Sequence, residues 1–430
     1  MASTFIAQAA PASAREYNLH ILHGFCSEPN CRDGKWAGDL VSDATGNLYG
    51  TTTYGGFVGV GTIFELSRAA NGNGWSYRVL HDFCTETRCR DGSFVDGPLV
   101  VDRAGAIYGV ATVGGDSGYG VIFKLSPPNT ERPLWRYQVL TEICPAPSDY
   151  CEPISFINYG LTYAGAAAGA LYDGTSPLYG TSFLGGLDGS GTVFSVTPPR
   201  PGRSRWHFKV IYDFCSQTEC GDGGELPGAN VVVDAAGNLF GTTTAGGVNG
   251  EGVLFELQKK KRAWTETALY NFCSQPNCTD GEAPGSLTQD LAGDLIGTSS
   301  ASHNLCQCGL LFRFTSGASW TEQVLHHFCR RAECRDGSLP TGLALAPGSD
   351  LFGVTQRGGG HDIDQYGEGG GTIFRLGSSF DVLRRFCSEP DCADGEYPDP
   401  SVVVDPAGNV FGTTSQGGPH GDGEVFELSP

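Results

Sequence analysis

Cysteine is the residue type whose spacing most clearly indicates chemistry in this sequence of 430 residues, which contains 16 of them. Fourteen lie in seven close pairs along the chain, and six of these pairs have four residues between the partners. The pairs are Cys26 with Cys31, Cys84 with Cys89, Cys144 with Cys151, Cys215 with Cys220, Cys273 with Cys278, Cys329 with Cys334, and Cys387 with Cys392. An even number in recurring local pairs indicates disulfides made in an oxidising compartment. Zinc is the alternative, but two thiolates per loop leave each site two ligands short.

An eighth pair, Cys306 and Cys308, lies close to His303. Imidazole and thiolate ligands suit copper or zinc, so His303, Cys306 and Cys308 are a candidate soft-metal site. The alternative is a disulfide between Cys306 and Cys308, or one that reaches another loop, and the even number of cysteines favours it.

A long loop at residues 357–368 carries further groups that could bind a ligand. Asp362, Asp364 and Gly367 follow the start of a calcium-loop pattern, but Tyr366 and Ile373 stand where that pattern needs other residues. The sequence therefore predicts no cofactor and leaves calcium open at this loop. The candidate ligand-binding residues, which we expect on one side of a common rim, are His303, Arg357, His361, Asp362, Asp364, Tyr366 and Glu368.

Aspartate recurs before glycine at the end of six cysteine loops. An aspartate in this place commonly hydrogen-bonds its own turn, which makes these residues structural. The functional alternative is a ring of carboxylates that binds calcium or cationic groups, although the third loop lacks the aspartate and would break the ring. The six are Asp33, Asp91, Asp222, Asp280, Asp336 and Asp394.

Histidine occurs two residues before the phenylalanine that precedes three of the cysteine loops, at His23, His81 and His326. The other repeats carry Tyr, Thr or Arg in this place, so it predicts a partly exposed strand end rather than a catalytic ring. No nucleophile elbow, haem-attachment motif, H-E-x-x-H motif or phosphate loop occurs. The sequence therefore predicts no catalytic residue.

The charge balance excludes several classes of partner. Lys and Arg number 27 against 47 Asp and Glu, which leaves a net charge of -20. Nucleic acids and anionic membranes favour basic surfaces, so we expect neither as a partner. No apolar run approaches the 18 residues that a spanning helix needs, so we expect no membrane span.

The elements that must position these groups follow from an internal repeat. The first cysteines of the seven pairs recur at intervals of 56–71 residues, and repeats start near residues 17, 76, 136, 207, 265, 321 and 381. Each repeat contains four short runs rich in β-branched and aromatic residues, separated by turns and by a Gly-Gly loop. This pattern predicts a four-stranded antiparallel blade. A phenylalanine in every third strand and a bulky residue before the glycine of every second strand are expected to pack between blades.

The two ends of the chain predict how the blades are arranged. The first repeat opens with a fourth-strand pattern, residues 17–25, and the last repeat stops after its third strand, residues 424–428. If the N-terminal strand completes the last blade, no blade keeps an unpaired edge. We therefore predict an all-β fold, a seven-bladed β-propeller that forms one domain over residues 15–430. An open solenoid is the alternative.

The segment Asp43–Thr52 with Gly61–Phe64, and again residues 405–414, resembles a known bacterial family, the GloVer tandem-repeat proteins. Their consensus is an aromatic residue before a loop with Asp-Gly, then D-x-x-G-N-L-Y-G-T-T, a Gly-Gly loop and G-T-V-F. The resemblance extends over residues 17–430 in seven copies. It implies an exported, often surface-associated propeller and brings no characterised activity. The cysteine pairs depart from the commoner form of the repeat.

Residues 1–14 contain no basic segment, but their small residues resemble the cleavage end of an export signal. With the cysteines, this predicts a secreted, periplasmic or cell-surface protein. We expect the cysteine loops and Gly-Gly loops to share one face, where braced loops suit recognition of a glycan or a protein. Protection from proteases would explain the bracing equally well. The alternatives are a polysaccharide lyase or metal-assisted hydrolase that uses this face, and a structural surface-layer protein.

Overall fold

A computed structural model gives the architecture of the chain. It describes residues 17–69, 74–95, 97–143, 160–186, 189–200, 202–203, 205–227, 229–261, 263–301, 308–317, 320–346, 350–360 and 369–430. These residues form seven antiparallel sheets, and no α-helix occurs among them. No helix in this described part is long and apolar enough to cross a membrane. The predicted all-β, seven-bladed propeller is confirmed.

The strands follow the repeat closely. The chain begins with β1 (Asn18–Gly24), and the first blade contains β2 (Lys35–Ser42), β3 (Leu48–Tyr54), β4 (Thr62–Arg68) and β5 (Trp75–Asp82). The second blade contains β6 (Val100–Val101), β7 (Ile107–Ala111), β8 (Val121–Ser126) and β9 (Arg136–Glu142). The third contains β10 (Leu178–Ser182), β11 (Thr192–Thr197) and β12 (His207–Asp213). The fourth blade contains β13 (Gly224–Pro227), β14 (Val232–Val233), β15 (Leu239–Ala245), β16 (Val253–Lys260) and β17 (Ala263–Asn271).

The remaining blades continue in the same order. The fifth blade contains β18 (Glu282–Gln289), β19 (Leu295–Ala301), β20 (Leu310–Thr315) and β21 (Thr321–His327). The sixth contains β22 (Ser338–Leu345), β23 (Leu351–Arg357), β24 (Thr372–Leu376) and β25 (Phe380–Arg385). The seventh contains β26 (Glu396–Pro398), β27 (Val403–Val404), β28 (Val410–Gln416) and β29 (Glu424–Ser429). Single 3-10 turns lie at Pro29–Cys31, Thr87–Cys89, Ala166–Ala168, Thr218–Cys220, Pro276–Cys278, Ala332–Cys334 and Pro390–Cys392.

The N-terminal strand completes the last blade, as predicted. β1 pairs antiparallel with β29, from Asn18 opposite Ser429 to Gly24 opposite Glu424. The innermost strand of the first blade also packs against the seventh blade, where Thr413 Oγ1 donates to the Gly38 carbonyl at 2.8 Å. The chain therefore closes into a ring, and neither end leaves a sheet incomplete.

Glycine and phenylalanine face each other on neighbouring strands in the core of every blade. Gly50 in β3 lies opposite Phe64 in β4, and a Cβ added to Gly50 would lie only 2.5 Å from the Phe64 ring. The same close approach occurs at the equivalent glycines of the other six blades. The seven phenylalanines are fully buried, as expected for packing between blades; they are Phe64, Phe123, Phe194, Phe255, Phe312, Phe374 and Phe426.

The innermost strands are less regular than the sequence predicts. In the second, fourth and seventh blades the inner strand is split, and in the second and seventh the break contains Pro98 or Pro400, which cannot donate to the sheet. In the third blade the described part of the inner strand is a single bridge between Thr162 and Tyr179. The insertion at Ala164–Thr175 packs Tyr172, fully buried, between the second and third blades.

The third and fourth strands of each blade meet with a β-bulge. In the first blade Ile63 pairs with His81 and Phe64 pairs with Val79, so Leu80 is the extra residue. The same shift recurs in every blade, including the seventh, where β1 supplies the fourth strand. The bulge changes the direction of the side chain that follows it, which places His81 and its equivalents beside the next cysteine loop.

Candidate functional site

The cysteine loops and the Gly-Gly loops lie on the same face and are hydrogen-bonded to each other. The Gly56 amide donates to the Cys31 carbonyl at 2.9 Å, and the same bond joins Gly115 to Cys89. It recurs at Gly247, Gly359 and Gly418. The prediction that both loop types share one rim is confirmed, and we call this surface the cysteine-loop face.

Each of the six described cysteine loops is organised around a buried aspartate. Asp33 is 1 % exposed and accepts hydrogen bonds from the amides of Ser27 and Glu28 and from the Ser27 hydroxyl. The other five aspartates of the set are equally buried and accept from the corresponding amides. The prediction that these six aspartates hydrogen-bond their own turns is therefore confirmed. The six carboxylates are used within their own loops and do not form an open cation-binding ring.

The variable position before each loop is the second partner of this aspartate, which the sequence analysis missed. His23 Nε2 lies 3.1 Å from Asp33, Tyr212 donates its hydroxyl to Asp222 at 2.7 Å, and Arg384 donates to Asp394. A sequence signal exists, because the third repeat lacks the aspartate and carries Thr141 in this place. The residue is therefore selected as a polar partner for a buried carboxylate.

One residue in the outermost strand of the blade faces this partner, and its type differs with the type of the partner. His23 stacks on Tyr77 with ring centroids 3.7 Å apart, and His326 stacks on Phe380 at the same distance. Where the partner is tyrosine, the facing residue is glutamate instead, at Glu266 and Glu322. Burial, and then the nearby Asp222 or Asp280, raises the pKa of each glutamate to about 7.

The cysteines form the predicted bonds wherever both partners are described. Six local disulfides are present, at 26–31, 84–89, 215–220, 273–278, 329–334 and 387–392. Cys144, Cys151 and Cys306 lie outside the described residues. Cys308 is disulfide-bonded, and its sulfur lies within 4.8 Å of those of Cys329 and Cys334.

The described part of the chain offers few ligands for a metal. Its groups of three possible ligand atoms each include two or more cysteine sulfurs. Those sulfurs belong to disulfides, so they are not thiolates and are poor ligands. The proposed metal ligands His303, Cys306, Asp362 and Asp364 lie outside the described residues and remain predictions.

Aromatic side chains from β2, from β3 and from the segment that precedes β6 meet on the inner edge of the cysteine-loop face. Trp36 contacts Tyr54 edge-to-face with centroids 5.1 Å apart, and Tyr54 contacts Phe94 in the same manner at 5.6 Å. Trp36 is 41 % exposed. Further round the ring, the Arg357 guanidinium lies 5.3 Å from the Tyr397 ring centroid. We call Trp36, Tyr54, Phe94 and Tyr397 the aromatic rim.

Three of these aromatic residues have an uncommon backbone conformation. Trp36, Phe94 and Tyr397 have φ values of 54°, 53° and 54°, in the left-handed region that bulky residues rarely adopt. Each amide bonds to the preceding blade, as Trp36 does to the Asp422 carbonyl at 3.1 Å. Ala283 and Leu339 adopt the same conformation at the equivalent positions of the fifth and sixth blades, with φ values of 46° and 53°, so this conformation is a feature of the repeat.

Exposed apolar side chains concentrate on the same face. Nine large hydrophobic residues are exposed among the described residues, and six of these belong to the cysteine-loop face: Trp36, Phe57, Val58, Val113, Tyr119 and Val248. Exposed apolar groups that cluster on one side of a protein mark surfaces that bind a partner or ligand.

A cavity of about 590 Å³ lies where the innermost strands converge. Thr244, Ala283 and Ser300 line it close to the cysteine loops, and Asp39 and Asp399 add two carboxylates. A cavity of this volume can hold one small polar ligand or a single sugar residue.

Of the candidate ligand-binding residues, only Arg357 lies within the described residues, where its guanidinium lies over the Tyr397 ring. The other six lie outside the described residues: His303, His361, Asp362, Asp364, Tyr366 and Glu368. They stay predictions. The described surface adds the aromatic rim, whose members come from different blades and share no sequence motif.

Comparison with known proteins identifies the repeat and the fold. A family model described as the Gloeobacter/Verrucomicrobia repeat matches residues 11–171 and 154–364. No curated protein matches the chain.

Solved structures resemble the chain in fold at low sequence identity. The extracellular domain of what is described as a one component system from B. thetaiotaomicron is 10 % identical with a TM-score of 0.53; the match covers 96 % of this chain and 40 % of the other. The Trypanosoma rangeli sialidase is 10 % identical with a TM-score of 0.45, over 96 % of this chain and 59 % of its own. At this identity the likeness concerns the fold alone.

Proposed function

Because the chain belongs to the Gloeobacter/Verrucomicrobia repeat family and closes into a ring of seven blades, with six local disulfides among the described residues, we propose that it is an exported binding module that holds a glycan on its cysteine-loop face. The aromatic rim is the observation that carries this proposal. Aromatic side chains offer large, rigid contact area at little cost in conformational entropy, which suits recognition of flat sugar faces.

The bracing of the face supports the same function. Six described cysteine loops combine a disulfide with a buried aspartate, and five of these also bond to a Gly-Gly loop, which favours a rim that is rigid before a ligand arrives. Rigid groups lose less entropy on binding than mobile ones. The disulfides also suit an oxidising location outside the cytoplasm.

Substitution of Trp36 tests the proposal. We expect Trp36→Ala to weaken binding to whichever polysaccharide the wild-type protein retains by at least tenfold, or about 1.4 kcal/mol, since a central aromatic contact dominates such surfaces. The measurement is affinity electrophoresis across a panel of neutral and acidic polysaccharides, followed by calorimetry with oligosaccharides.

Leu291→Ala is the matched control, because Leu291 is 88 % exposed but lies in the β18–β19 turn, away from the cysteine loops. It should leave binding unchanged. Equal affinity of the Trp36→Ala and wild-type proteins, or the absence of binding to every polysaccharide, would contradict the proposal.

A polysaccharide-cleaving enzyme is the second candidate, and the central cavity favours it because Asp39 and Asp399 both line that cavity. Two carboxylates in one site can divide acid and base roles in glycoside hydrolysis. Release of reducing ends by the wild-type protein, lost in Asp39→Asn, would establish this activity. Binding without product release supports the binding module.

A further inference from the structure

One position at the end of the fourth strand caps the Gly-Gly loop in the first, second and fourth blades. Asp82 in the first blade accepts the Phe57 amide at 2.6 Å, and Asn271 in the fourth accepts the Val248 amide at 2.9 Å. Glu142 in the second blade accepts two loop amides in the same way. In these three blades the position therefore supplies a hydrogen-bond acceptor to the loop.

In the sixth blade this position holds Arg385, which can only donate. Its Nε donates to the Arg335 carbonyl at 3.1 Å, at the end of the neighbouring cysteine loop. The two arginines flank the described start of the long loop: a Cβ on Gly360 would lie 2.7 Å from Arg335 Cγ, and one on Gly359 would lie 3.6 Å from Arg385 Cβ. The sixth blade therefore carries the cation Arg385 where the first, second and fourth blades carry a hydrogen-bond acceptor, and its Gly-Gly loop is the one that is lengthened.

The cysteine loop beside Arg385 is also the most basic in the chain. It contains Arg330 and Arg331 and is followed by Arg335, in a protein whose net charge is -20. Partial burial, and then the positive charges of Arg335 and Arg331, lower the pKa of Arg385. Arg335 and Arg331 therefore lie close enough to Arg385 for their positive charges to repel its guanidinium.

The carboxylates described nearby are already engaged. Asp336 is fully buried and accepts the amides of Arg330 and Arg331. Glu333 pairs with Arg335 at 3.3 Å, with both side chains more than half exposed. Exposed pairs of this kind contribute little, so a ligand carboxylate can compete for the Arg335 guanidinium.

We propose that Arg331, Arg335 and Arg385 form an anion-binding site that takes the carboxylate of an acidic sugar residue. Guanidinium groups bind carboxylates through paired, charge-assisted hydrogen bonds, with a geometry that an ammonium group cannot supply. The site lies at the base of the loop that begins at Arg357, next to the aromatic rim. This inference rests on the proposed glycan-binding function and specifies a glycan with carboxylate groups. Sulfate esters share the oxyanion chemistry, and the experiment separates them.

The test replaces Arg385 with the residue that the fourth blade carries. The Arg385→Asn variant and the wild-type protein are titrated calorimetrically with trigalacturonate, its methyl ester and inorganic sulfate. We expect at least a tenfold loss of trigalacturonate affinity in the variant and no change for the methyl ester. Arg331→Ala, an exposed position, should show the same loss and guards against misfolding of the first variant.

Arg88→Asn is the matched control, because Arg88 is an exposed arginine on the same face in the second blade. It removes the same charge and should not change trigalacturonate affinity. Equal loss in this control, or no loss in Arg385→Asn, would overturn the proposed site. Tighter binding of inorganic sulfate than of trigalacturonate would overturn the carboxylate assignment.

The experiment also separates this inference from the proposed function. Arg385-dependent binding of trigalacturonate that is unchanged in Trp36→Ala, without retention of any polysaccharide, would support the anion site and contradict the proposed binding of glycans through the aromatic rim. Trp36-dependent binding of neutral polysaccharides, with no binding of trigalacturonate or sulfate, would support the function and overturn the anion site.

Discussion

Glu424 lies in β29, the strand that pairs with the N-terminal strand, and its side chain is fully buried. Neither carboxylate oxygen has a hydrogen-bond partner. Burial, and then Asp394 and Glu389, raise the pKa of Glu424 to about 8, whereas Arg384 opposes this rise. The equivalent residues Thr62 and Thr372 carry no charge.

We predict that Glu424 makes the protein less stable as the pH rises. The protonated form is favoured in the folded state, so its stabilisation is complete below the unfolded pKa near 4.5 and is lost as the pH approaches 8. The loss is on the order of 3–5 kcal/mol. Chemical denaturation between pH 4 and 9 measures it.

Glu424→Thr, which copies the first and sixth blades, should remove most of this dependence. Glu266 and Glu322 will leave a smaller decrease in the same direction, because their pKa values are raised to about 7. An identical pH profile for the variant and the wild-type protein would show that Glu424 is not the group responsible.

At the scale of the element, the cysteine loop is held by several short-range interactions that act together. In the fifth blade, Asp280 accepts the Ser274 and Gln275 amides and the Tyr270 hydroxyl, all within 3.2 Å. The disulfide closes only a short ring, for which the loop-closure model gives roughly 2 kcal/mol. We therefore expect the aspartate to contribute to the loop on the same scale as the covalent bond.

We expect Asp280→Ala to lower the free energy of unfolding by about 2–3 kcal/mol, since it leaves buried amides without a charged acceptor. Urea denaturation measures the change. Gln275→Ala is the control, because the Gln275 side chain is exposed and only its amide is used. A loss of similar size in both variants would contradict the central role of the aspartate.

At the scale of the whole molecule, stability depends on the pairing of β1 with β29. This pairing joins residues about 400 positions apart, and it buries Phe426 and Leu428 at the seam. Without β1, the last blade would expose a strand edge that can pair with other chains.

A chain that begins at Phe25 should therefore melt at a lower temperature and self-associate. Addition of a peptide of residues 17–24 should restore the monomer and part of the melting temperature, and a scrambled peptide should not. Light scattering and thermal denaturation provide the readouts. A monomeric truncated protein with unchanged stability would contradict closure by β1.

The sequence by itself determined the repeat, the strands, the local disulfides and the closure of the ring. Each depends on patterns that lie within a single repeat, such as the cysteine spacing around Cys26, or on the unmatched strands at the two ends. Strand periodicity and short loop closure are local properties, so seven copies of one pattern reinforce a single interpretation.

Only the tertiary structure decided which side chains meet. Trp36 and Tyr54 come from two strands of the first blade and Phe94 from the segment before β6, and Arg385 reaches a cysteine loop that lies 50 residues earlier. These meetings depend on β-bulges and on the packing of one blade against the next, which alternation along a strand does not specify. The rim and the arginine cluster therefore follow from the arrangement of the blades around the ring.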